Sequence, residues 1–479
     1  MIQLRIILCC WLCLRMASVI GQTLAVSEPI SLSNDKAVFV IGKMRNHALL
    51  IQQQNDKAIV KAFDDNMLMR WEKELVLDKR DPNVLLTFQA SKDYFCLLYL
   101  HQRRQHTILK IHRYSPAAEL IDSITIADLG LRYTSVYVKH KFSEDKKKLL
   151  IMAYDENDTY DTFMFDTENM QTLWQKSTTI NDEEGHLNIN EQVTTNVGEA
   201  YFIEGQPYKE NKKNYYQLKI DAVHAIGDSL HTQAFEMLFE EQIIKSIKFV
   251  YDNLNKQLLA VGTYAKRGEE KAIGYCYLKI PKINSDATIH TQTLFDEAFV
   301  AALTGKKTEV NEGIRDLQVQ RTIIRRDGGI LALVEVVDIQ SRQYQGTQTT
   351  SMLPYARAAT DYKFNDIVAI SINADGSEHY KTIMPKAQYS ANDEGDFCSF
   401  GVLKTPGNIR LLYNDVIEEH TNINEYNLNS DGEFTRRSIL NTGGKKVYLN
   451  LKDAIQVGAQ EFILWGAYRN KFKLARIQL

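Results

Sequence analysis

Several groups of residues in this sequence have the types and spacing to do chemistry. Gly227-Asp228-Ser229-Leu230 offers a serine hydroxyl, which becomes a nucleophile when a histidine accepts its proton. The same residues are good turn formers between two β-rich runs, so a hairpin turn is expected there. His101, His106 and His112 bracket Arg103-Arg104. Imidazoles bind metals well, but strand alternation and a turn separate these three, and an exposed basic loop is expected. Asp155-Glu156-Asn157-Asp158-Thr159-Tyr160-Asp161 and Asp393-Glu394-Gly395-Asp396 are rich in oxygens. The first lacks the glycine and distal glutamate of a calcium loop. Both read as solvated turns, and no metal is expected. Lys146-Lys147-Lys148 reads as a solvated lead-in to a strand.

The best site candidate is an insertion. Ser341 to Lys363 separate a strand ending near Asp338 from one starting near Asp366. Structureless connections beyond about 12 to 15 residues are uncommon in compact domains and often functional. This one carries Tyr344, Met352, Tyr355 and Arg357, residue types enriched at binding surfaces. Those four are the expected partner-binding residues; no catalytic residue and no cofactor site is assigned.

The bulk composition narrows the partners. Across 479 residues, 57 Lys+Arg meet 60 Asp+Glu, a net charge of -3. Nucleic-acid-binding domains carry a basic surplus, so no nucleic-acid partner is expected. Residues 1–21 combine Arg5, the apolar run Ile6 to Leu14, and small residues ending in Ala17-Ser18-Val19-Ile20-Gly21. That order is a secretory signal peptide, too short and too interrupted for a membrane span. The remainder, 22–479, is expected to be one exported domain, in the periplasm or outside the cell, with no membrane span. It retains Cys96, Cys276 and Cys398 inside apolar runs, an odd, widely spaced set that reads as buried free thiols.

The elements that must position these residues are strands. Short runs such as Ala37 to Ile41, Leu149 to Met152, Leu258 to Val261 and Ile330 to Val334 alternate with turn clusters such as Asp327-Gly328-Gly329. One helix is predicted, Glu297 to Thr304, capped by Asp296 and stopped by Gly305. A hairpin recurs in which a strand end meets a polar turn and a second strand. Its anchors are Phe63, Tyr114 and Phe165, spaced 51 and 51 residues, with weaker copies near Leu218, Leu278, Ile372, Leu428 and Ile477. Repeats of about 40 to 50 residues with four short strands mark β-propeller blades. The count predicts an all-β propeller of eight blades, seven being the alternative if one weak copy is an insertion. The last copy supplies three strands, at 454–457, 461–467 and 471–479. An open edge is avoided in natural sheets, so Thr23 to Ser33 is expected to add the outer strand and close the ring.

On Trp71-Glu72-Lys73-Glu74-Leu75, Asn365-Asp366-Ile367-Val368 and Asn373-Ala374-Asp375-Gly376-Ser377, the chain resembles exported Bacteroidota β-propeller proteins of uncharacterised function. It also resembles quinoprotein-type (PQQ-like) blades, which pair an Asp with a Trp eight residues on: Asp166 and Trp174 match, and Asp64 and Trp71 are one residue short. The glycine usual before that tryptophan is missing from both. The adjacent cysteine pair of the methanol-dehydrogenase-like members has no counterpart after residue 21. No cofactor is therefore expected. Gly227 to Leu230 also spell the string of a serine esterase family, but its later Asp-x-x-His element is absent downstream. The expected function is a non-enzymatic scaffold binding a protein or glycan partner; the alternative is an enzyme (hydrolase, lyase or quinoprotein) with its site in the central funnel.

Overall fold

The structure, a computed structural model, describes residues 22–32, 35–78, 82–131, 136–154, 159–179, 189–211, 213–227, 229–281, 288–305, 312–343, 358–417, 421–469 and 471–479. Eight antiparallel sheets follow one another along the chain. We number them as blades 1 to 8, spanning 35–75, 83–128, 137–179, 189–240, 242–294, 317–384, 401–441 and 448–478. Packing arranges them in a circle. Separate hydrophobic clusters join blade 1 to 2, 2 to 3, 3 to 4, 4 to 5, 5 to 6, 6 to 7 and 7 to 8. Another joins blade 8 back to blade 1 through Ile463, Phe472, Ala48 and Leu50. The molecule is an eight-bladed β-propeller.

Burial explains the apolar runs. The second strand of each blade packs against a neighbour on both faces and cannot alternate polar with apolar residues. His47–Gln54, Phe95–Arg103 and Gln257–Lys266 are accordingly buried almost throughout. Fourth strands such as Met69–Leu75 and Leu120–Asp128 lie at the rim and are largely exposed. The anchors Phe63, Tyr114, Phe165, Leu218, Leu278, Ile372, Leu428 and Ile477 each lie on the third strand of their blade.

The ring closes as expected. Thr23–Val26 pairs antiparallel with Lys471–Gln478, Val26 opposite Ala475, and Ile30 bridges Phe472. Ser27 N–H donates to Leu474 O at 2.8 Å. The inner strand of blade 8 is not the single run at 454–457 that the sequence suggests. It is split into Tyr448–Leu449 and Ile455–Gly458, both paired with Glu461–Tyr468. The helix Glu297–Thr304 has the expected caps: Asp296 accepts from Phe299 N–H, and Gly305 is left-handed at φ 67. Among the described residues no helix is long and apolar enough to cross a membrane.

Candidate functional site: the upper face of blades 6 to 8

Because strands alternate in direction, links between blades and turns between second and third strands share one face, here called upper. Blade 6 departs most from the common plan on that face. Its second and third strands, Ile330–Gln343 and Ala358–Ile372, stay paired as far as Gln343 opposite Ala358. The residues 341–343 and 358–363, expected to be loop, are therefore a hairpin extension. The link to blade 7 then turns back, and Gln388–Ala391 pairs with Asp361–Phe364 as a fifth strand. Its alternating burial, Gln388 and Ser390 inward and Tyr389 and Ala391 outward, has a strand's period of two.

A polar cluster holds this link down. Lys386 and Glu335 have fully buried side chains, with Nζ 2.6 Å from Oε1. That contact is a charge pair outside hydrogen-bond geometry, since Oε1 is left without a hydrogen bond among the described residues. Lys386 donates instead to Phe364 O at 2.9 Å and Gln388 Oε1 at 2.7 Å. Ser399 donates to Glu335 Oε2 at 2.7 Å, and Gln388 Nε2 to Asn414 O of blade 7 at 2.6 Å. Burial pulls the Lys386 pKa down and pushes that of Glu335 up, and each charge opposes the shift of its partner.

Above the cluster lies a pocket of ≈ 390 Å³ whose lining includes Tyr389, Asp393, Phe397, Tyr448, Tyr468 and Arg469. Phe397 meets Tyr448 at 5.7 Å and Trp465 at 5.9 Å between ring centroids, and Tyr448 meets Tyr468 at 5.8 Å. The Arg469 guanidinium lies 5.2 Å from the Tyr468 ring centre. Asp393 Oδ1 accepts from Ser390 Oγ at 2.7 Å and Gly395 N–H at 3.0 Å. At the rim, the Tyr389 hydroxyl donates to Asp361 at 2.8 Å, and Arg342 pairs with the same carboxylate. The Arg342 contact holds the Asp361 pKa below the ordinary carboxylate value.

Tyr344, Met352, Tyr355 and Arg357 lie outside the described residues, as do Asp155 to Asp158. The hairpin that leads to those four borders the same upper face as the pocket. Of the pocket residues the sequence singled out only Asp393, as part of an oxygen-rich turn; the aromatic ones come from a blade link, an inner strand and a second strand. The period-two alternation of Gln388-Tyr389-Ser390-Ala391 was the available local signal. Asp393 to Asp396 form the expected turn, with Asp396 N–H on Asp393 O. Ile226 pairs with Ser229 across a hairpin with Gly227 at φ 58, also as expected. Cys96, Cys276 and Cys398 are free and buried, and burial pushes the thiols of Cys96 and Cys276 up to about 12 and Cys398 up to about 11. Among the described residues no group of three or more His, Cys, Asp or Glu is placed to hold a metal ion.

The histidines depart from expectation. Arg103 and Arg104 are exposed, but His101 and His112 are buried on the paired strands of blade 2. His112 Nδ1 lies 2.8 Å from the Tyr114 hydroxyl and Nε2 2.9 Å from that of Tyr99, which donates to Asp78 at 2.7 Å. Apolar strand neighbours carry these imidazoles inward; the two tyrosines satisfy His112, and His101 Nε2 lies 3.7 Å from Asp78 Oδ2. The Asp–Trp pairs are likewise structural. Asp166 Oδ1 accepts from Glu168 and Asn169 N–H in a turn, and Trp174 Nε1 donates to Gly198 O of blade 4 at 2.8 Å.

No family model matches the sequence, and no curated protein matches it. Among solved structures, the chain is similar to the WD40 domain of SCAP from fission yeast (6% identity, TM-score 0.40, covering 95% of this chain and 98% of that one). It is also similar to an uncharacterised protein from Listeria monocytogenes (9%, TM-score 0.36, covering 77% and 86%). A third is the β-propeller domain of the Trilobed protease from Pyrococcus furiosus (9%, TM-score 0.32, covering 87% and 98%).

Proposed function

We propose that this propeller is an exported binding scaffold, carried out of the cytoplasm by residues 1–21, that docks a protein or glycan partner on the upper face of blades 6 to 8. The observation that carries the reading is the built asymmetry of that face: an extended hairpin, an added strand and a half-open aromatic pocket above a buried polar anchor. The ring of eight blades holds the frame rigid, and a rigid frame with elaborated connections is how loops come to carry recognition. The residues 344–357, with Tyr344, Met352, Tyr355 and Arg357, then extend the contact surface beyond the paired hairpin.

The test is affinity capture from envelope extract with the wild-type protein and with a variant in which 344–357 is replaced by a short Gly-Ser turn. Ser341–Gln343 and Ala358–Lys363 must be kept, since they are paired strand. Partners captured by the wild type and lost by the variant are expected. Identical partners from both proteins would reject this face. Signal cleavage is checked by N-terminal sequencing of protein recovered from the envelope fraction, with Gln22 expected first.

A further inference from the structure

We infer that the pocket between blades 7 and 8 is a saccharide subsite that takes one pyranose ring of a neutral glycan. This deepens the docking reading above and rests on it. The pocket's ≈ 390 Å³ lies at the small end of ligand sites, which run from about 300 to 1,000 Å³. That volume admits a ring and its substituents, whereas a protein partner is typically met by a broad surface.

The lining matches a sugar's two characters. Phe397 and Tyr448 meet at 49° and Tyr448 and Tyr468 at 47°, so the rings form a curved apolar wall suited to the C–H face of a pyranose. Sugar hydroxyls both donate and accept hydrogen bonds, and the pocket offers one of each partner. Asp393 is fixed through Oδ1 by Ser390 and Gly395, and among the described residues Oδ2 receives no hydrogen bond. Arg469 supplies donors at the rim, and its guanidinium already lies over Tyr468 at 5.2 Å. With one carboxylate and one guanidinium in the lining, the pocket carries no excess of either sign to select a charged ligand, and both groups remain able to bond hydroxyls. The fifth strand holds Tyr389 through Asp361, and the Lys386 cluster anchors the link beneath. Little ordering is left to oppose binding.

The experiment is isothermal titration of the purified protein with neutral tetra- to hexasaccharides of glucose, mannose, xylose, galactose and N-acetylglucosamine. Binding of at least one is expected, with a change in Trp465 emission because its ring touches Phe397. Tyr468→Ala and Asp393→Asn should each weaken that binding about tenfold or more, while Arg325→Ala, in a turn on the opposite face, leaves it unchanged. Should Tyr468→Ala lower the melting temperature, Asp393→Asn carries the test, since the amide oxygen keeps the turn's acceptor. Binding by no sugar of the set, or binding undiminished in both pocket variants, overturns the inference. Loss of a captured protein partner on shortening 344–357, with no sugar bound, would leave the docking reading standing and remove this one. A sugar bound with no protein partner lost would keep the glycan form of the docking reading and remove residues 344–357 from the contact surface.

Discussion

Blades 2 and 6 both bury polar groups, and they do so in different electrical states. In blade 2, Tyr114, His112, Tyr99 and Asp78 form one line of contacts. With the Tyr99 proton on Asp78, His112 must donate from Nε2, and a neutral imidazole then accepts from Tyr114 at Nδ1. Burial first, and Lys110 second, hold the His112 pKa down to about 4. The second and third strands of this blade turn back tightly, with Arg103 opposite His106. In blade 6 the buried groups are a charge pair, and the strands run on to carry a fifth strand. A neutral imidazole between two tyrosines, with the Asp78–Lys110 ion pair at its partly exposed end, suits a blade that only has to pack. A buried charge pair, costly to desolvate and costlier to split, gives one fixed geometry to a link that would otherwise be a long surface loop.

That contrast can be broken at its strongest point first. Lys386→Met strands the Glu335 carboxylate inside the protein and should destabilise by about 3–5 kcal/mol, measured by urea unfolding at neutral pH. Adding Glu335→Leu should recover most of that loss. A double variant as unstable as the single would mean that packing, not charge, dominates the cluster.

Next in size is the acid response of blade 2. The unfolded chain takes up a proton at His112 near pH 6.5 that the folded chain refuses until about 4. The stability linked to neutral His112 is therefore complete above pH 6.5 and is lost as pH falls toward 4, by about 3 kcal/mol at most. His112→Phe should remove that part of the slope, and an unchanged slope would place the acid sensitivity elsewhere. A smaller effect is expected at the ordinary blade contact: Trp174→Phe removes the bond to Gly198 and should cost about 1 kcal/mol in chemical denaturation. Smallest for stability is Arg342→Ala, at the exposed rim, whose melting temperature should match wild type while partner capture falls. Unaltered capture would narrow the docking surface to the pocket.

The ring was legible in the sequence because its cause is local and repeated. In blades 1 to 3 the third strand ends where an apolar anchor meets a polar turn, and second strands such as His47–Gln54 and Gln257–Lys266 are apolar on both faces. The closing strand was legible from an edge that had to be covered, and the helix caps from Asp296 and Gly305. The pocket was not, because Phe397 belongs to a blade link and Tyr448 and Tyr468 to two strands of blade 8, which only the circular arrangement brings together. His101 and His112 misled for the opposite reason: their letters are polar, while their strand positions face the core. Only the paired tyrosines and Asp78 make that burial affordable, and partners chosen across strands cannot be read along one.

The seam between Ser27 and Leu474, 447 positions apart, fixes the order of assembly. Thr23–Val26 cannot find their partner strand until the final stretch has been made, so closure is a late, long-range step of the kind that slows folding. The nascent protein must keep a short β-forming ribbon idle throughout synthesis, vulnerable to any other unpaired border it meets. Once fastened, the same junction sets Thr23 opposite Gln478, and a label attached at either position reports on a single spot of the circumference.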